Sequence, residues 1–348
     1  MKKYILLLVI VSCTLNASAQ IIDSDKPYMT RSLSADAIKD VVVQTSGGSI
    51  SVSGVNASEA RLEVYVKKNN NRGNETLSNE EIQKRLSEDY DLDINVNGGK
   101  ISARAKPKDK NIDWKKALSI SFKLFVPQNI TSDLQTSGGS IHLNNLSGSQ
   151  EFTTSGGSLH INNLSGKVKG RTSGGSIQLE NSKDDINLFT SGGSIEAKNS
   201  NGNINLSTSG GSLTLKDLNG VIKANTSGGS INGKNIGGEL ITSTSGGSIV
   251  LNDLSCSLET STSGGHIDVS MKELGKYLTI SNSGGNINLQ LPAGKGLDLK
   301  LRADNIKRSA LTNFQGTIED DEVNGKLNGG GIPVTVRAGS GRINLEFK

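Results

Sequence analysis

The chain of 348 residues holds two cysteines, five prolines, one tryptophan and only 3 % aromatic residues. Each scarcity excludes something. Cys13 and Cys256 are the only thiols, so no framework of several disulfides can hold the fold. So few aromatic rings argue against a large globular core and suit a thin coil lined by Ile, Leu and Val. Three histidines leave little room for imidazole chemistry. The formal charge of +4 falls to +2 without Lys2 and Lys3, too weak a field to imply nucleic acid as a partner. Beyond the first residues no apolar run is long enough to span a bilayer.

That first segment reads as an export signal. Lys2 and Lys3 precede the apolar run Tyr4 to Val11, and Ala17-Ser18-Ala19 forms an A-x-A cleavage site before Gln20. The tetrapeptide Ile10-Val11-Ser12-Cys13 also resembles a lipobox, in which Cys13 would carry a lipid anchor. Either route predicts an exported protein, in the periplasm, on the outer-membrane surface or outside the cell. Cleavage after Ala19 would leave Cys256 as a lone thiol.

What the chain has in abundance is a repeat. The peptide Thr-Ser-Gly-Gly returns with its first glycine at Gly138, Gly156, Gly174, Gly192, Gly210, Gly228, Gly246 and Gly264, always 18 residues apart. An earlier copy lies at Gly47, and a last pair at Gly284 arrives 20 residues after its predecessor. A short fixed period is the mark of a solenoid. Within each unit Ile or Leu stands three residues after the first glycine, and apolar residues alternate with polar ones from there, as on a strand with one buried face. A column of Asn145, Asn163, Asn181, Asn199, Asp217, Asn235 and Asp253 is followed three residues on by glycine, with Asp184 and Cys256 as exceptions. Asn, Asp and Gly are turn formers, so each unit reads strand, Asn-x-x-Gly turn, strand, Ser-Gly-Gly turn. A different turn is expected at Cys256. A column from Thr154 to Thr262 ends each second strand, where corner hydrogen bonding is its expected role.

The fold class expected is therefore all-β, a β-solenoid (parallel β-helix) of 18-residue coils. Its rungs would lie about 4.8 Å apart, so eight coils make a rod of roughly 38 Å. The expected organisation is a signal peptide over 1–19, N-terminal coils and cap over 20–135, regular coils over 136–270 and irregular C-terminal coils and cap over 271–348. Ser78-Asn-Glu-Glu81 is a capping box that opens a helix over about 79–90 inside the N-terminal cap. Arg342 to Phe347 is expected to close the C-terminal end.

A strand leading into TSGGSI, a polar helical insertion, the step Val126-Pro127-Gln128-Asn129-Ile130 and the tandem TSGGSI coils together resemble the bacterial putative-adhesin domain family of unknown function. The likeness covers roughly residues 35–348. It implies an exported β-solenoid of the bacterial envelope, of the kind found in Bacteroidetes-type genomes, and it supplies no catalytic motif.

Candidate chemistry is sparse. The Gly-Gly turns do not form the G-x-x-x-x-G-K-[ST] pattern of a phosphate-binding loop, no Lys or Arg immediately follows the pair, and they recur in every coil, as structural corners do. His142 and His160 share an outward column but lack a third metal ligand, and His266 replaces a turn serine. The Asp-rich nonapeptides of calcium-binding rolls are absent. Outward acids such as Glu196 and Asp268 lie several coils apart, against a paired-carboxylate glycosidase. No catalytic residue, metal site or cofactor is assigned. The stretch Lys100 to Lys116 holds seven basic residues against two acidic ones. Within it Lys106, Lys108, Lys110, Trp114, Lys115 and Lys116 form a candidate partner-binding patch for a surface glycan or an envelope protein. The sequence thus reads as an exported, non-enzymatic, adhesin-like binding or scaffold module. The alternatives are an internal periplasmic structural or stress protein and, behind it, a polysaccharide-active enzyme.

Overall fold

A computed structural model describes residues 26–69, 78–109 and 117–348. The export signal, Cys13, and Lys110, Trp114, Lys115 and Lys116 lie outside the described residues. The chain is an all-β parallel solenoid. In the regular coils a 14-residue strand runs from the apolar residue after one corner to the threonine before the next, as in Ile195–Thr208, Leu213–Thr226 and Ile231–Thr244. Each pairs in parallel with its neighbour 18 residues away, Ile195 against Leu213 and Thr208 against Thr226. The Asn-x-x-Gly turn therefore does not separate two strands. The chain bends there while both arms stay paired, because Asn199 and Gly202 take left-handed φ values of 49° and 118°. The same bend recurs at Asn145, Asn163, Asn235 and Asp253.

Two sheets result, which we call the isoleucine sheet (after each corner) and the threonine sheet (before it). Alternate residues point between them and are almost fully buried: Ile195, Ala197, Ile204 and Leu206 are at most 1 % exposed. Burying each such side chain contributes about 1.5–3 kcal/mol, and the column repeats at every rung. The corner is held by threonine. Thr208 Oγ1 donates to the Gly193 carbonyl of the previous coil at 2.8 Å and accepts from the Gly211 amide at 3.2 Å. Thr154, Thr172, Thr190, Thr226, Thr244 and Thr262 each donate in the same way. Asn282 substitutes at the last corner, giving its Nδ2 to Gly265 O and accepting from the Gly284 amide.

At Cys256 the turn does differ. Cys256 has no left-handed φ, turns inward to 1 % exposure, and the next strand, Ile267–Asn282, is 16 residues long with shifted register beside it. That bulge accounts for the 20-residue gap before Gly284.

The ends depart from sequential stacking. Asp40–Thr45 and Ile50–Val55, the first coil in sequence, lie between the later strands Lys100–Pro107 and Leu118–Pro127 on one side and Thr131–Thr136 and Ile141–Thr154 on the other. At the far end Arg342–Phe347 does not close the rod. It is inserted between Ile287–Leu291 and Asn305–Arg308, while Ile332–Ala338 fits between Ile267–Asn282 and Leu297–Arg302. Antiparallel strands finish both ends: Arg61–Lys68 and Tyr90–Asn97 at one, Glu322–Leu327 and Phe314–Ile318 at the other. A helix, α1, spans Asn79–Asp89, with Ser78 accepting from the Glu81 amide at 3.2 Å and Ile82 and Leu86 buried. It stops one residue short of the expected Tyr90, which already begins a strand and accepts from the Leu118 amide through its hydroxyl.

Candidate functional site: the outer face of the isoleucine sheet

Because the rungs of the isoleucine sheet are in register, each outward column there becomes a straight ladder along the rod. One ladder runs Glu63, Lys123, Ser51, His142, His160, Gln178, Glu196, Thr214, Asn232, Val250, Asp268, Asn288, Asn344, Lys307. A parallel ladder two residues on carries Lys198, Lys216 and Lys234 on successive rungs. These lysines are tied to acids: Lys198 to Glu196 at 2.5 Å, with its pKa raised by that hydrogen bond, and Lys216 and Lys234 to Asp217 and Asp253 at 3.9 Å.

The two histidines of the ladder stack with ring centroids 4.5 Å apart and planes within 2°. His160 Nδ1 hydrogen-bonds Gln178 Oε1 at 2.8 Å. Burial and then the neighbouring imidazole hold the His142 pKa below its ordinary value. Among the described residues no three His, Cys, Asp or Glu side chains gather as a metal site. At the N-terminal end of the ladder, Glu63 accepts from Arg61 and Tyr65 at 2.7 and 2.8 Å. Burial raises its pKa, but those hydrogen bonds and the charges of Arg61 and Lys123 outweigh it and hold the carboxyl below its usual range.

The C-terminal end of the same face carries a groove of about 570 Å³. Its floor is the ladder Asp268, Asn288, Asn344, and Lys307 and Arg308 stand at its far end. Asn288 Nδ2 donates to Asp268 Oδ1 at 2.5 Å, and Asn344 Nδ2 donates to Asn288 Oδ1 at 2.6 Å. Asp268 also faces His266 Nε2 at 3.5 Å. Beside this floor Gln290 Nε2 lies 3.5 Å from Glu346 Oε2. The acids are thus engaged, whereas Lys307 and Arg308 are exposed and make no ion pair among the described residues. The nearby acidic hairpin tip, Glu319-Asp320-Asp321-Glu322, is hydrogen-bonded to this strand through the backbone, Ile306 N to Asp320 O at 2.7 Å.

The basic stretch singled out in the sequence lies elsewhere, on the N-terminal cap. Lys106 is exposed and stands opposite Asp91 across an antiparallel pair. Lys108 is committed locally, donating from Nζ to the Ser87 carbonyl at 2.6 Å and from its backbone amide to Asp89 O. The groove escaped the sequence reading because its rungs are 20, 56 and 37 residues apart in the chain. A signal was present: Ile343-Asn-Leu-Glu346 copies Ile287-Asn-Leu-Gln290.

Comparison with known proteins places part of this architecture. Residues 180–346 match the family model Toastrack DUF4097. The chain is thus similar over its C-terminal half to a family of unknown function, and the groove falls inside the matched segment. A solved structure of a "putative cell adhesion protein" from Clostridium sporogenes ATCC 15579 aligns at 11 % identity over 94 % of this chain and 97 % of that one. Its TM-score is 0.18, at which the likeness carries no structural argument. No curated protein matches the chain in sequence. Among the described residues no helix is long and apolar enough to cross a membrane.

Proposed function

We propose that the chain is an exported, non-enzymatic, adhesin-like binding module of the bacterial envelope. The observation that carries this reading is the outward ladder of the isoleucine sheet, which presents polar side chains on every rung but that of Val250 at a spacing of about 4.8 Å along the rod. A regular array of this kind suits an extended or repeated partner, because weak contacts at successive rungs add through multivalency. Binding rather than catalysis is favoured because Glu196 and Asp268 stand four rungs apart, about 19 Å, well beyond the carboxylate spacing that glycoside cleavage needs. The cap residues Lys106, Lys108, Lys110, Trp114, Lys115 and Lys116 add a second contact region in this proposal, Lys108 also donating to the Ser87 carbonyl of α1.

Protease shaving of intact cells tests the reading. Digestion in intact cells is the expected result. Protection until lysis would instead favour an internal envelope protein, and degradation products from a purified polysaccharide panel would favour an enzyme.

A further inference from the structure

We infer that the groove at the C-terminal end of the isoleucine sheet binds a segment of carboxylated polysaccharide, laid along the rod with a carboxylate at Lys307 and Arg308. The inference rests on the binding-module reading and names a ligand class for that face.

The hydrogen-bond polarity of the floor is fixed by chemistry. The Asp268 carboxylate only accepts, so Asn288 must offer it an N–H. The Asn288 carbonyl oxygen then faces the next rung and receives the amide of Asn344. Each asparagine spends one N–H within the ladder, and each keeps a second N–H and oxygen lone pairs for a ligand. The free groups therefore alternate donor and acceptor at every rung, a spacing close to one pyranose ring. Sugar hydroxyls, which both donate and accept, match such a row.

Charge supplies the second half of the argument. Asp268 is already satisfied by Asn288 and faces His266, and Glu346 lies beside Gln290. Lys307 is the next rung after Asn344, while Arg308 is in register with the buried Leu345 and reaches the groove from its margin; both are exposed and without an ion-pair partner among the described residues. A ligand in the groove thus meets the engaged Asp268 carboxylate at one end of the floor, amides in its middle with Glu346 beside them, and the exposed Lys307 and Arg308 at the other end. Arg308 offers the fork geometry that suits a carboxylate. From Asp268 to Lys307 the floor spans three steps, about 14 Å, room for roughly three sugar units.

Titration calorimetry of the full chain at physiological salt tests this with tetragalacturonate and its methyl ester, which share the sugar backbone and differ at the carboxyl group. The acid form should bind, and the ester should bind at least about tenfold more weakly, as expected when charge-assisted hydrogen bonds are lost. Lys307→Gln with Arg308→Gln should lose as much, and Asn288→Ala or Asn344→Ala should lose about threefold or more. Lys216→Gln with Lys234→Gln, on the same face but outside the groove, should change affinity less than twofold. Equal affinity for acid and ester, or no binding of the acid by the unaltered chain, would overturn the inference. So would an equal loss in the Lys216 and Lys234 control. Failure here leaves the shaving result untouched, so the two proposals fall separately.

Discussion

The two glycines of one corner should respond in opposite ways to the same methyl group. A Cβ on Gly210 would meet the Gly192 carbonyl oxygen at 3.6 Å, an ordinary contact. A Cβ on Gly211 would stand 2.1 Å from the Gly193 carbonyl oxygen, about 1 Å inside the approach that real side chains make. Neither residue has a left-handed φ, so the difference is steric crowding between coils and owes nothing to conformational preference. Gly211→Ala must push two paired backbones apart at the corner where Thr208 bonds both Gly193 O and the Gly211 amide. Overpacking costs about 1–3 kcal/mol, and the loss of those two hydrogen bonds about 1 kcal/mol each. The sum is a destabilisation of about 3–5 kcal/mol. Gly210→Ala should be neutral or stabilising by about 0.4–1 kcal/mol, because alanine restricts the unfolded chain. Urea unfolding followed by far-UV circular dichroism measures both, with hydrogen exchange to locate the weakened coils, since a repeat array need not unfold as one unit. Equal midpoints for the two variants would refute the close-approach argument.

Thr208→Val keeps the shape of the corner and removes its hydroxyl, so it should cost about 1–3 kcal/mol, while Thr208→Ser should recover most of that; urea midpoints decide. Burial pushes the Cys256 thiol up to about 12, so a thiol-specific chromogenic reagent at pH 8 should label Cys256 only after denaturation. A hydrogen bond to Glu239, with burial second, raises Tyr277 to about 12; in a 295 nm titration Glu239→Gln should bring its ionisation to lower pH. His142 is held below its ordinary value, so the unfolded chain takes a proton there first. Stability from this residue is intact above about pH 6.5 and declines as pH falls from there toward the lowered folded value. Histidine Cε1–H shifts followed by NMR should show His142 titrating at lower pH than in the His160→Gln variant, where one cause of the lowering is gone.

Much of the rod was legible because its interactions are local in the repeat. The Asn column and the glycine three residues after it marked the left-handed bends at Asn199 and Gly202, and alternation marked Ile204 and Leu206 as core. Ser78 and Glu81 marked the start of α1. The order of the end coils was not legible, since which strand lies beside Ile287–Leu291 depends on pairing across 56 residues. The groove inherits that blindness: Asp268, Asn288, Asn344 and Lys307 become neighbours only once Arg342–Phe347 is threaded inward. The basic cap stretch was conspicuous by composition, yet the amino group of Lys108 is occupied by a backbone carbonyl, which charge counting does not reveal.

The threading of both chain ends has a mechanical consequence. Tension applied between the ends of the described chain first detaches Met29–Ser32, which pairs with one strand only. It then reaches Asp40–Thr45, and at the other end Arg342–Phe347, each clasped by parallel strands on both sides. Those strands lie across the rod axis, so a pull along the rod loads their ladder bonds in line, and each strand must part from two neighbours to come free. The intervening coils, stacked in simple order, are shielded from the pull until one of these clasps gives way. A rod built in this way resists being drawn out while its middle is free to lengthen or shorten by whole coils.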